Sequence, residues 1–394
     1  MANEPKKVRQ RRSMLQIPGV QTILSSLLCI VLGLLVGFIV LLLIDHGVSE
    51  KTGNLNAIDA IWVIIRNFWK FSSSAQQMKY LGNTLVQTAP LLMCGLSVMF
   101  AYKVGLFNIG AAGQYTLGAF GALYCAIVLQ WPWYLCLLAA MLFGAIWGAL
   151  PGIFKAYLNI NEVITAIMFN WIGLYMVNDI MYGKGKSPMY DLASTKTYSL
   201  RKAAPQAMIP SLGMSELFGK LQSVTIAIFI AIFFAIIVYI ILNKTAFGYE
   251  LRACGFNKNA ARYAGINEKR NIILAMMISG ALAGVGAGLY YLSTVAEWNP
   301  QVSTALPAMG FNGISTALLA CSNPIGTIFS SLFISYITVG GTKLSTQYYT
   351  KEIADVITAL IIYLCAFSLL FKNKIRALLV GKAKRVSVGK GGDD

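Results

Sequence analysis

The chain has 394 residues, of which 57% are hydrophobic and only 12% charged, with a mean hydropathy of +0.65. An ordinary soluble domain carries about twice that charged share, so a soluble fold is excluded. The formal net charge of +17 would point to nucleic acid in a soluble protein, but here the basic residues sit beside apolar runs, where they act as topology signals and lipid-headgroup contacts, and no nucleic-acid partner is expected.

The apolar runs are long enough to cross a ~30 Å hydrocarbon layer as helices. Lipid offers no partners to backbone polar groups, so these runs must be helical. No train of alternating ten-residue strands suggests a membrane barrel. The predicted fold class is therefore all-α, a polytopic transmembrane helix bundle of about ten spans with interrupted or re-entrant helices.

In chain order, a basic cytoplasmic tail (1–20) carries Lys6, Lys7, Arg9, Arg11 and Arg12. It precedes a first span at 21–44, which is too long for a signal-peptide core and lacks a small-residue cleavage site, so it is read as retained. His46, the single histidine, falls at the far end of that span and reads as an interfacial residue without a role. Segment 48–79 is apolar on one side yet contains Asp59, Arg66 and Lys70, the pattern of an interfacial amphipathic helix. Spans follow at 80–102, 105–129, 133–154 and 162–182, with Trp131 and Trp133 around Pro132 marking an outer interfacial turn.

The next connection, 183–222, is predicted extracellular despite Lys184, Lys186, Lys196, Arg201, Lys202 and Lys220. It fits either a solvated insertion that translocates regardless of charge or a docking surface for an acidic partner. A span at 223–242 leads to a cytoplasmic connection at 243–270, where GYELRACGFNKNAARYAGINEKR has helical stretches divided by Gly255 and Gly265 and is too patterned for a tether. Spans at 271–292, 306–321, 324–341 and 353–371 complete the transmembrane part (21–371). The tail 372–394 is basic and is expected to lie on anionic headgroups before fraying. An even number of crossings puts both termini on one side, and the Lys/Arg bias makes that side cytoplasmic.

Enzyme chemistry has little to work with. There is no HExxH, GxSxG or Walker A loop, and the seven cysteines lie mostly in hydrophobic runs without a CxxC pair. No catalytic residue, metal site or cofactor is expected in this chain. Acidic residues at membrane depth are scarce, because Glu162, Asp179, Glu352 and Asp355 map near span ends, and this argues against an ion-coupled secondary transporter.

The informative stretch is Gly105-Leu106-Phe107-Asn108-Ile109-Gly110-Ala111-Ala112-Gly113-Gln114, where amides and glycines fall inside a span. Polar side chains there must face protein or water. The glycines fit close helix packing, or a broken helix whose freed backbone groups bind solute. Asn108 and Gln114 favour the second, since packing does not need two amides. Pro307-Ala308-Met309-Gly310-Phe311-Asn312-Gly313 opens a short run that reads as a half-span, and Phe107-Asn108 and Phe311-Asn312 either correspond in two halves of a repeat or coincide by chance. Asn170, between Phe169 and Trp171, and the further amides Asn83 and Asn178 add neutral donors and acceptors. Such a lining suits an uncharged heterocycle or sugar, although Asn170 equally suits a bridge between two helices. Gly280, Gly284 and Gly288, like Gly144, Gly148 and Gly152, recur every fourth residue as a packing seam.

The blocks NTLVQTAPLLMCGLSVMFAYKVGLFNIGAAGQ, NEVITAIMFNWI, GYELRACGFNKNAARYAGI and GFNGISTALLACSNPIGT, spread over 80–330, resemble the permease subunits of bacterial nucleoside-type ABC importers. The wider superfamily includes ribose and branched-chain amino acid permeases. The resemblance implies a non-enzymatic permease of the bacterial plasma membrane that pairs with a second related permease as a heterodimer. It also implies a cytoplasmic ABC ATPase, where ATP and Mg are bound, and an extracellular substrate-binding lipoprotein. Alternatives are a permease for simple sugars or branched-chain amino acids. The solute path is expected at Phe107, Asn108, Gly110, Gln114, Asn170, Phe311 and Asn312, and the coupling segment at Glu250, Arg252, Asn257, Ala261, Arg262 and Tyr263. Ala112 stands where the family's NIGAEGQ often has glutamate, so no carboxylate role carries over there.

Overall fold

A computed structural model describes residues 31–43, 57–70, 73–300 and 305–342, with a few single positions near either end. The expected tails 1–20 and 372–394, His46, and all but single positions of the span 353–371 lie outside the described residues. Apart from one short antiparallel pairing, Tyr190 with Thr197 and Asp191 with Lys196, the regular elements described are helical. In chain order they begin with α1 (Val31–Leu43), α2 (Ala57–Arg66), α3 (Ser74–Lys103), α4 (Ala111–Ile127), α5 (Trp133–Leu158) and α6 (Glu162–Tyr182). After β1 (Tyr190–Asp191) and β2 (Lys196–Thr197) come α7 (Leu200–Ala203), α8 (Met214–Leu217), α9 (Ala227–Lys244), α10 (Ala246–Phe256), α11 (Lys258–Tyr263), α12 (Glu268–Leu292), α13 (Ala308–Leu319) and α14 (Pro324–Thr342).

Among the described residues six helices are long and apolar enough to cross a membrane: α3, α5, α6, α9, α12 and α14. At 105–129 and 306–321 the structure bears out the broken helix and the half-span and corrects their count as full crossings. The first begins as irregular chain and becomes helix only at Ala111, and the second holds a helix of 12 residues, about 18 Å long and too short to cross alone. Segment 48–79 carries the expected short amphipathic helix, with Ile58, Trp62 and Ile65 exposed and the other side packed on protein. Its helix α2 buries Ala57, Ala60, Val63 and Ile64, and Asn67 Nδ2 donates to Tyr336 O at 2.8 Å, so that face is covered by α14. The chain re-enters a helix at Ser74, earlier than expected, giving α3 a length of 30 residues, about 45 Å.

Helices α3 and α12 are the buried centre, while α5, α6 and α9 keep large apolar side chains such as Ile146, Ile164 and Phe233 on the outside, as lipid contact requires. Packing is matched under exchange of α3 with α12, α4 with α13 and α5 with α14. Thus α3 packs on α13 and α14 as α12 packs on α4 and α5, and α4 touches α13. Transporter folds with internal repeats show such pairing. The dipeptides do not carry this symmetry: Phe107-Asn108 lies in the coil before α4, whereas Phe311-Asn312 lies inside α13.

Candidate functional site

The chain between α3 and α4 leaves the helix through Gly105, whose φ of +74° places it in the left-handed region that glycine adopts without strain. Three residues on, Asn108 enters a wholly uncharged polar cluster. Asn108 and Gln114 exchange hydrogen bonds through their amides: Asn108 Nδ2 donates to Gln114 Oε1 at 2.8 Å, and Gln114 Nε2 donates to Asn108 Oδ1 at 3.2 Å. Asn108 Nδ2 also reaches Ser279 Oγ of α12 at 2.7 Å, and Ser279 Oγ donates to the Ser97 carbonyl of α3 at 2.7 Å. Asn108 is 0% exposed and Gln114 1%.

Asn170 of α6 holds the same segment from the other side. Its Oδ1 accepts from Gly113 N at 2.8 Å, and its Nδ2 donates to Ile109 O at 3.1 Å. Helix α4 has no side-chain cap of its own at Gly110, so one of its unpaired first-turn N–H groups is satisfied by a neighbouring helix. Four helices thus converge on one irregular segment. The start of α13 joins them, since a Cβ added at Gly310 would stand 2.5 Å from Ala112 N.

Behind this cluster, α5 and α12 meet backbone to backbone. A Cβ at Gly280 would lie 2.2 Å from Gly144 O, and one at Gly148 would lie 2.4 Å from Met276 O, so the seam accepts no side chain.

At the end of the bundle where α3, α5 and α9 stop, α10 and α11 form an ordered elbow. Thr245 Oγ1 caps α10 by accepting from Gly248 N at 3.0 Å, and Asn257 Oδ1 caps α11 by accepting from Ala260 N at 3.1 Å. Glu250 Oε2 accepts from Asn271 Nδ2 of α12 at 3.3 Å, Arg252 Nε donates to Gly248 O at 3.3 Å, and Ala261 is buried. Phe256 and Tyr263, by contrast, are 92% and 94% exposed, and Arg262 is exposed beside them. Nearby, Lys155 and Glu162 form an ion pair at 2.8 Å across the α5–α6 turn.

At the opposite end, residues 183–226 fold into a cap. Thr197 N donates to Trp298 O at 2.8 Å, Ile209 N to Leu292 O at 3.1 Å, and Trp298 Nε1 to Asn178 Oδ1 at 2.8 Å. Arg201 bonds Thr294 and Gln222. The connection, read as either a solvated insertion or a docking surface, is an ordered surface with Lys184, Lys186, Lys196, Arg201, Lys202 and Lys220 all exposed on it.

Residues 80–366 match the family described as the permease component of branched-chain amino acid transport systems. The chain belongs to this permease family. It is similar to the guanosine ABC transporter permease protein NupP of Bacillus subtilis, 31% identical over 92% of this chain and 97% of that protein. It is also similar to the nucleoside ABC transporter permease protein NupB of Lactococcus lactis, 32% identical over 94% of this chain and 97% of that protein. The glucose ABC transporter permease protein TsgB13 of Haloferax volcanii is 26% identical over 83% and 85% of the two chains. No solved structure matches the chain. As a permease component the chain is a non-catalytic transmembrane subunit, and its family implies a separate ATPase.

Of the residues expected to line a path in this permease, Asn108, Gly110, Gln114 and Asn170 converge. The amides of Asn108, Gln114 and Asn170 are buried and bond one another or the backbone. Asn170 is the helix bridge that the sequence left as one of two options. Phe107 and Asn312 are half-buried, and Phe311 is exposed on α13. Ser97 and Ser279, which complete the cluster, were missed. Their signal was a hydroxyl inside an otherwise apolar run, which is weak because serine also occurs in such runs through simple back-bonding to its own helix.

Proposed function

We propose that the chain is one of two permeases of an ATP-driven importer that carries nucleosides across a bacterial plasma membrane. The observation that carries this reading is near-full-length similarity, above 30% identity, to permeases named for guanosine and nucleosides. An uncharged amide-rich centre supports it, since a nucleoside can be stacked and hydrogen-bonded without removing an ion from water.

Because the amides of this chain are closed on one another, the path is assigned to the face that α13 presents toward a second related permease. Phe311, Asn312 and Phe107 line it, and Asn108, Gly110, Gln114 and Asn170 shape its wall from behind. On the cytoplasmic side, Arg262 and Tyr263 meet the ATPase, where ATP and Mg are bound, while Glu250, Arg252, Asn257 and Ala261 keep the elbow rigid. The basic cap receives an acidic face of the extracellular substrate-binding lipoprotein, an assignment supported by six exposed Lys and Arg against Asp191 and Glu216.

The similarity to a glucose permease favours simple sugars as a second reading. Uptake of labelled guanosine and labelled glucose by vesicles holding the complete transporter separates the two. Guanosine uptake that depends on ATP supports the first, and glucose uptake without guanosine uptake overturns it. In the same vesicles Asn108→Ala is expected to lower uptake at least fivefold without loss of assembly, because it strands the Gln114 amide; unimpaired uptake removes Asn108 from the path wall.

A further inference from the structure

The elbow touches the chain that leads into the amide cluster, and the contact there is backbone on backbone. A Cβ added at Gly255, in the last turn of α10, would lie 2.5 Å from Lys103 O and 3.1 Å from Gly105 N. A Cβ added at Gly105 would in turn lie 3.2 Å from Gly255 O. Gly255 precedes the bare ring of Phe256, and Gly105 stands three residues before Asn108. We propose that Gly255 and Gly105 are the positioning pair through which movement of the α10–α11 elbow opens the Asn108–Gln114 amide lock. The proposal rests on the permease reading above and names the contact that does the coupling.

The physical argument is about what can absorb a displacement. Where two elements touch through long side chains, rotamer changes take up the first ångström of motion. Here no side chain lies between them, so a shift of α10 arrives at Gly105 undiminished. The receiving segment, 104–110, is not helical; Val104 and Leu106 anchor it in the core, and beyond them it is held by the amides of Asn108 and Asn170. The Asn108 Nδ2 bonds at 2.7 and 2.8 Å fail once the partners part by about an ångström. The elbow can deliver that shift as a body together with the end of α9 and the start of α12, because Thr245 Oγ1 donates to Ile241 O at 2.6 Å and Asn271 holds both Glu250 and Cys254.

The test measures uptake per ATP hydrolysed in the complete transporter. Gly255→Val is expected to lower guanosine uptake at least tenfold while ATP hydrolysis stays within twofold, since the added branches wedge the contact without touching the elbow's exposed face. A merely structural role would lower both together, and an unchanged ratio of uptake to hydrolysis overturns the proposal. A second measurement needs no variant: amide hydrogen exchange across 104–110 in the unsubstituted complex, with and without a non-hydrolysable ATP analogue. Exchange there is expected to change at least tenfold with nucleotide, and exchange indifferent to nucleotide overturns the proposal. An unsubstituted complex that hydrolyses ATP yet takes up no guanosine sinks the substrate reading instead, and the exchange result then stands on its own.

Discussion

The cap end and the elbow end of this permease are both long polar connections between membrane helices, yet they are built in opposite ways. The cap is sewn to the helices beneath it by bonds from distant parts of the chain, such as Thr197 N to Trp298 O and Ile209 N to Leu292 O. Its centre, Trp298, is 3% exposed. The elbow packs on neighbouring helices along its inner side, where Leu251, Cys254 and Ala261 are buried, Thr245 Oγ1 donates to Ile241 O at 2.6 Å and Asn271 bonds Glu250, and it leaves Phe256, Arg262 and Tyr263 exposed on its outer side. The cap is tied down by backbone bonds to remote residues, whereas the elbow is tied by side-chain caps and packing on one side and exposed on the other.

Three substitutions sharpen or break this contrast. The largest effect is expected from Trp298→Ala, which removes a buried indole and its bond to Asn178 and should cost about 3–5 kcal/mol of cap stability. Limited proteolysis between Ser187 and Gln222 should then become rapid while the membrane core stays protected; a cap as resistant as before would show that Trp298 is not its keystone. Asn257→Ala, at the other end, removes one helix cap and should cost about 1 kcal/mol. It should raise amide exchange in 257–264 severalfold and leave the cap unaffected, and exchange spreading through the whole bundle would mean that the elbow is no separate unit. The smallest effect on stability, near zero, is expected from Arg262→Glu, because the side chain is exposed. Its effect falls on assembly: co-purification of the ATPase should drop at least tenfold, and normal recovery would remove this surface from the docking site.

Sequence patterns made the membrane class, the long helices and the helical character of the elbow legible, because apolar runs and glycine breaks are local signals, but the break expected at Gly255 falls at Asn257. Asn257 and Asn161 each precede a helix start in the structure. The convergence of Asn108, Gln114 and Asn170 was also legible, as amides that lipid would not tolerate. What they do was not, since two amides that bind a solute and two that bind each other have the same composition. The cap was illegible for another reason: its order comes from backbone bonds to residues such as Trp298 and Leu292, far along the chain, and no local pattern announces them. The short helix α13 was anticipated from Pro307 and the Ser322-Asn323-Pro324 turn, while the matching dipeptide that suggested a repeat pointed to the wrong register. The symmetry lies in which helices pack together.

One consequence follows from the seam between α5 and α12. With Gly144, Gly148, Gly280 and Gly284 pressed against the opposing main chain, the two helices form a single double-width girder. Its near tip holds Asn271, which grips the elbow, and its far tip ends at Leu292, whose carbonyl receives the cap. The two polar connections are therefore joined through one closely packed pair of helices, and not only through the loops that bear them.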